Sequence, residues 1–69
     1  MQFVKKTKNN DIHTVEYKII DRFNNKLGVV SIYPTTKATP DFHPAKQRLA
    51  LEPFELKELL EFMENAYND

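Results

Sequence analysis

A single change of hydrophobic period, at Pro53, constrains this chain more than any other feature of its sequence. From Gln2 to Leu51 apolar residues tend to recur at every second position, and from Leu56 to Tyr67 they recur every three to four. The first spacing suits strands with one buried face and the second an amphipathic helix, so the expected fold is an α+β domain.

The helix reads most clearly. Leu56, Leu59, Leu60, Met63, Ala66 and Tyr67 fall on one stripe, which is expected to face the core. Pro53 stands just inside the start, and Glu52 and Glu55 put negative charge at the positive end of the helix dipole. These signals place the helix at residues 53 to 67. Phe62 lies at the edge of the stripe and Phe54 outside it, leaving aromatic surface for a second subunit.

Ahead of Pro53 the spacing predicts four strands. Gln2 to Lys8 alternates weakly, and Asn9-Asn10-Asp11 turns the chain into a second strand within Ile12 to Ile20. Asp21-Arg22-Phe23-Asn24-Asn25-Lys26 reads as a tight hairpin, because asparagine tolerates positive φ. A third strand, Leu27 to Tyr33, holds the only glycine, Gly28, a candidate for a bulge or a close backbone approach. Pro34 ends it. Pro40 and Pro44 mark Thr35 to Ala45 as a loop, and Lys46 to Leu51, with Leu49 and Leu51 on one side, is the expected fourth strand. The order is β-β-β-β-α in one domain spanning residues 1–69, with the sheet within 2–51.

A chain of 69 residues without cysteine has neither a disulfide nor a thiolate metal site to support its small core. A partner subunit is the remaining support, so a homodimer is expected. No apolar run approaches a membrane span and the first residues turn charged at once, which points to the cytoplasm, or to the nucleus in a eukaryote.

Ten basic and ten acidic side chains cancel overall, but not along the chain. Residues 1–51 carry nine basic against four acidic groups, a balance of +5, and residues 52–69 carry one against six, a balance of −5. A basic sheet half can draw a polyanion to one side while the acidic helix stays solvated.

Catalysis finds little support. Ser31 is the only serine, and His13 and His43 stand thirty residues apart without the three or four convergent ligands a metal needs. Glutamates 52, 55, 58, 61 and 64 step by three and drift around the helix instead of pairing as acid and base. One glycine cannot make a phosphate-binding loop. The chain is therefore read as a binding protein with no cofactor, no metal and no small-molecule substrate.

Single-stranded nucleic acid is held by cations that track its phosphates and by aromatic faces on which bases stack. The candidate contact residues are Lys5, Lys6, Lys8, Lys18, Arg22, Phe23, Lys26, Tyr33, Lys46 and Arg48. Phe23 stands out among them, because an aromatic inside a polar hairpin is hard to bury. A second expectation, suited to the zero net charge, is a small interaction module or regulator that docks on a protein partner.

The hairpin Asp21 to Lys26, the strand Leu27-Gly28-Val29-Val30-Ser31-Ile32-Tyr33, and Lys46-Gln47-Arg48-Leu49-Ala50-Leu51-Glu52-Pro53-Phe54-Glu55-Leu56 together resemble the single-stranded-DNA-binding domain of the PC4 family of transcriptional coactivators, related in architecture to the Whirly proteins. The resemblance runs from Tyr17 to Met63. It implies a curved four-stranded sheet, dimerisation through the helices, for which Phe54 and Phe62 are the interface candidates, and DNA or RNA on the sheet side with little sequence preference. Phe23 would then stack on a base, Lys26 would meet a phosphate just past the turn, and Lys46 or Arg48 would supply the basic strand before the helix. Two positions depart from the family pattern: Asn24-Asn25 replaces its Lys and Gly, and the third strand ends without its cation and tryptophan. Transcription, replication and recombination are the processes such a protein would serve.

Overall fold

In the computed structural model, which describes residues 1–6 and 13–68, four strands and one helix follow in the expected order. They are β1 (Gln2–Lys5), β2 (Val15–Ile20), β3 (Lys26–Ile32), β4 (Asp41–Pro44) and α1 (Pro53–Asn68). The strands form one antiparallel sheet in sequence order β1-β2-β3-β4. Lys8 and the turn expected at Asn9-Asn10-Asp11 lie outside the described residues.

The alternation in β2 sets the two faces of the sheet. Val15, Tyr17 and Ile19 point to α1, and pairing carries Phe3 of β1, Val30 and Ile32 of β3 and Phe42 of β4 onto the same face. Ile19, Leu27, Val30, Ile32 and Leu59 are buried. Complete burial of such a side chain stabilises by about 1.5–3 kcal/mol, so five give a small core that its half-buried neighbours must supplement. Glu16, Lys18 and Ile20 point to the other face, which no helix among the described residues covers.

The β2–β3 register shifts between Ile19↔Gly28 and Ile20↔Lys26, which makes Leu27 the extra residue of a bulge. Both roles expected around Gly28 are met. The bulge adjoins it, and a Cβ built there would strike the His43 carbonyl oxygen and come within 2.8 Å of Phe42 Cε1.

The fourth strand differs from the sequence expectation. It is Asp41–Pro44, inside the stretch read as a loop, and residues 46–51 form no strand. Pro40 and Pro44 obscured it, yet prolines are tolerated at the ends of an edge strand, where a missing N–H leaves no ladder bond unmade. The ladder extends one step further, with Ala45 N–H donating to the Leu27 carbonyl at 2.9 Å. Leu49 and Leu51 pack on the core as their alternation suggested, but without pairing to β3.

The helix begins as its sequence suggests. Glu52 N–H donates to Glu55 Oε1 at 2.9 Å, the backward half of a capping box, and the Glu52 carbonyl accepts from Glu55 and Leu56 N–H. Its buried face is rotated from the expected stripe. Leu59, Phe62, Met63 and Ala66 meet the core, while Leu56 and Leu60 are 52% and 56% exposed and Tyr67 also faces solvent. The Phe62 ring explains the rotation, for it stacks on Phe3 and meets Tyr17 edge-on. An aromatic ring buries more apolar surface than a leucine, and paired rings add about 0.5–1.5 kcal/mol.

Candidate nucleic-acid interface

The hairpin between β2 and β3 is built around Asp21. Its Oδ1 accepts from Phe23 N–H at 2.9 Å and Asn25 N–H at 2.8 Å, and its carbonyl accepts from Asn24 N–H at 3.1 Å. Asn24 takes φ 67°, the left-handed conformation for which asparagine is suited. Asp21 N–H donates back to the Asn25 carbonyl at 3.0 Å, closing the loop. These bonds stabilise the carboxylate, and the one from Asn25 does most to hold the Asp21 pKa below its ordinary value.

A turn so closed leaves Phe23 outside. Its ring is 69% exposed, and the Arg22 guanidinium carbon lies 4.9 Å from its centroid. The same carbon lies 5.9 Å from the Phe54 centroid, so Arg22 sits between two aromatic groups. Arg22, Phe23 and Phe54 line an open depression with Ala50, Leu51, Glu52 and Glu55.

On the other side of Asp21 lies a wider depression of about 580 Å³. Lys26, Lys46 and Arg48 line it with Asp21, Asn25, Leu27 and Leu49. Three cations from two parts of the chain thus share one concavity beside Phe23. The irregular path of residues 46–51 makes this possible, since it brings Lys46 and Arg48 back to the hairpin while Leu49 stays on the core.

The remaining candidates are dispersed. Lys18 stands at the middle of the open face, and Lys6 lies 3.9 Å from Glu16 at its far end. Lys5 falls on the helix side, opposite Tyr17, and lines a smaller depression of about 200 Å³ with Lys37, Tyr33 and Tyr67. The Tyr33 hydroxyl donates to Asp41 Oδ2 at 2.6 Å, far from the hairpin; the bond to this carboxylate raises the phenol's pKa. Of the two interface candidates, Phe54 is 49% exposed, whereas Phe62 is engaged within the chain by Phe3 and Tyr17.

Two features escaped sequence reasoning. His43 reaches the open face opposite Val29, and could be placed only once residues 41–44 were known to be a strand. Phe54 joins the Phe23 depression, a proximity that adjacent helical spacing does not reveal. Among the described residues no three or more His, Cys, Asp and Glu side chains gather as a metal site, and no helix is long and apolar enough to cross a membrane. The hairpin end offers charge and an aromatic face. No protein-family model, curated protein or solved structure matches the chain.

Proposed function

We propose that this chain is a PC4-like homodimer that binds single-stranded DNA, with RNA as the second choice, and shows little sequence preference. It acts by binding and not by catalysis, in transcription, replication or recombination, in the cytoplasm or a eukaryotic nucleus. The observation that carries the reading is the placement of Phe23, 69% exposed on a carboxylate-braced turn beside the depression of Lys26, Lys46 and Arg48. Every base has a face that can stack on a ring, at about 1–3 kcal/mol per base, whereas a duplex hides those faces. Lysine and arginine on phosphates add affinity without reading sequence.

The homodimer rests on α1. Leu56, Leu60 and Tyr67 share one flank of the helix and are exposed, the two leucines by more than half, whereas Phe54 lies on the other flank beside Arg22. A second copy would cover this apolar surface and supplement the small core. The same surface favours a second reading, in which a protein partner docks there.

Fluorescence anisotropy with a labelled mixed-sequence oligonucleotide, single-stranded and duplex, at two salt concentrations tests the proposal. Three phosphate contacts on a single strand predict a slope of log affinity against log salt of about −2. Tight, salt-sensitive binding that prefers the single strand supports it. No binding at low salt, or preference for duplex, overturns it.

A further inference from the structure

Cross-strand register divides the open face of the sheet into bands of different charge. At the end remote from the hairpin, Glu16 lies opposite Ser31 and Ser31 opposite Asp41, with Lys6 bonded through its backbone N–H to the Glu16 carbonyl. That band carries two carboxylates and one lysine. The next joins Val4, Lys18, Val29 and His43, and the third places Lys26 opposite Ile20, beside the depression that Lys46 and Arg48 also line. The face thus runs from acidic to basic along the strands.

Both carboxylates are held in place. Glu16 lies 3.9 Å from Lys6 Nζ, and Asp41 accepts the Tyr33 hydroxyl at 2.6 Å. A phosphodiester chain that starts at the hairpin and follows Lys26 and Lys18 along the sheet would meet both of them next.

We infer that Glu16 and Asp41 form a negative boundary that ends the strand's path and limits each subunit's footprint to about four nucleotides. The length follows from the bands: Glu16 and Ile20 are four residues apart, about 13 Å at about 3.3 Å per residue. A stacked strand advances about 3.4 Å per nucleotide, so about four fit between the hairpin and the boundary. The inference rests on the nucleic-acid reading proposed above and adds to it a limit on ligand length.

The test is a series of labelled oligothymidylates of four, six, eight and ten nucleotides. They are titrated into the wild-type chain, Glu16→Gln, Asp41→Asn and the double variant, with Glu61→Gln on α1 as a control for total charge. Both boundary substitutions keep side-chain shape, and the asparagine oxygen can still accept from Tyr33. Beyond four nucleotides wild-type affinity should rise only with the number of four-nucleotide registers, about sevenfold at ten nucleotides. The double variant should bind the eight- and ten-nucleotide strands about three- to tenfold more tightly, each exposed charge being worth up to about fivefold, and the four-nucleotide strand less than twofold more tightly. Wild-type affinity that climbs beyond this statistical factor, or a double variant that gains equally at all lengths, overturns the boundary and leaves the binding site standing. Failure of every strand to bind at low salt overturns the binding site, and the boundary with it.

Discussion

The Phe62 ring lies 4.1 Å from that of Phe3, centroid to centroid and 7° from parallel, so α1 is fastened to edge strand β1 by an aromatic pair. Tyr17 closes the arrangement edge-on at 5.0 Å. Phe62→Ala removes a half-buried ring and the stacking together, and should cost about 2–4 kcal/mol, a large part of the margin of so small a domain. Phe62→Leu, which keeps most of the apolar contact, should cost about half as much. Urea denaturation of the two variants beside the wild type measures this.

Gly28→Ala should destabilise by about 2–3 kcal/mol, as insertion of a methyl group into a packed site does. The added carbon meets the backbone of β4 at the His43 carbonyl as well as the Phe42 ring. Trimming the ring therefore cannot relieve it, and the double variant Gly28→Ala with Phe42→Ala should be less stable than either single one. Thermal melts of the four proteins decide the point.

Asp21 links the β2–β3 hairpin to pH. Its pKa is lowered in the folded chain by the backbone bonds from Asn25 and Phe23. A depressed carboxylate pKa adds stability that is fully present above the unfolded value, about 3.9, and is lost as pH falls through the folded value. The acid limb of the stability profile, followed by melting from pH 6 to pH 2, should flatten in Asp21→Ala. In that variant Phe23 should also lose its fixed position, with weaker oligonucleotide binding at neutral pH.

Tyr33 works in the opposite sense. Its hydroxyl bond to Asp41 raises the phenol's pKa, because ionisation would set a second negative charge beside the carboxylate. The resulting stability is present below the unfolded value, about 10, and is lost as pH rises through the folded one. Absorbance titration of the phenolates should show a delayed component that Tyr33→Phe abolishes and that Asp41→Asn moves to lower pH.

If α1 supplies the contact between subunits, Leu60→Glu should yield a folded monomer, since it adds charge at a position 56% exposed in the single chain. Sedimentation equilibrium should show a dimer for the wild type and one subunit mass for the variant. A wild-type monomer at high protein concentration would remove the homodimer from the proposal.

Much of the fold is legible in the sequence, because periodicity records which side of an element is buried. The helix and the first three strands follow from it, and the Asn24 turn from asparagine's tolerance of positive φ. The fourth strand does not, since only four residues carry it and prolines flank it, while residues 46–51 alternate as a strand would and pack their leucines without pairing. Residue parity also separates Lys5 from Lys6, the first on the helix side with Phe3 and the second on the open face. The gathering of Lys26, Lys46 and Arg48 beside the hairpin needed the tertiary path of residues 46–51, which no local spacing encodes. Phe62 shows the other limit, for a stripe of leucines does not reveal that an aromatic pair will turn the helix away from it.

The central claim is that a single strand stacks on Phe23 and lays its phosphates over Lys26, Lys46 and Arg48. Backbone amide NMR of the labelled protein during titration with an eight-nucleotide single strand tests it most directly. The account predicts the largest shifts at residues 21–26 and 46–50, no comparable change along Glu61 to Asn68, and loss of the hairpin shifts in Phe23→Ala while that variant stays folded. Shifts centred on Leu56, Leu60 and Tyr67 with the hairpin unmoved, or none at low salt, would contradict it.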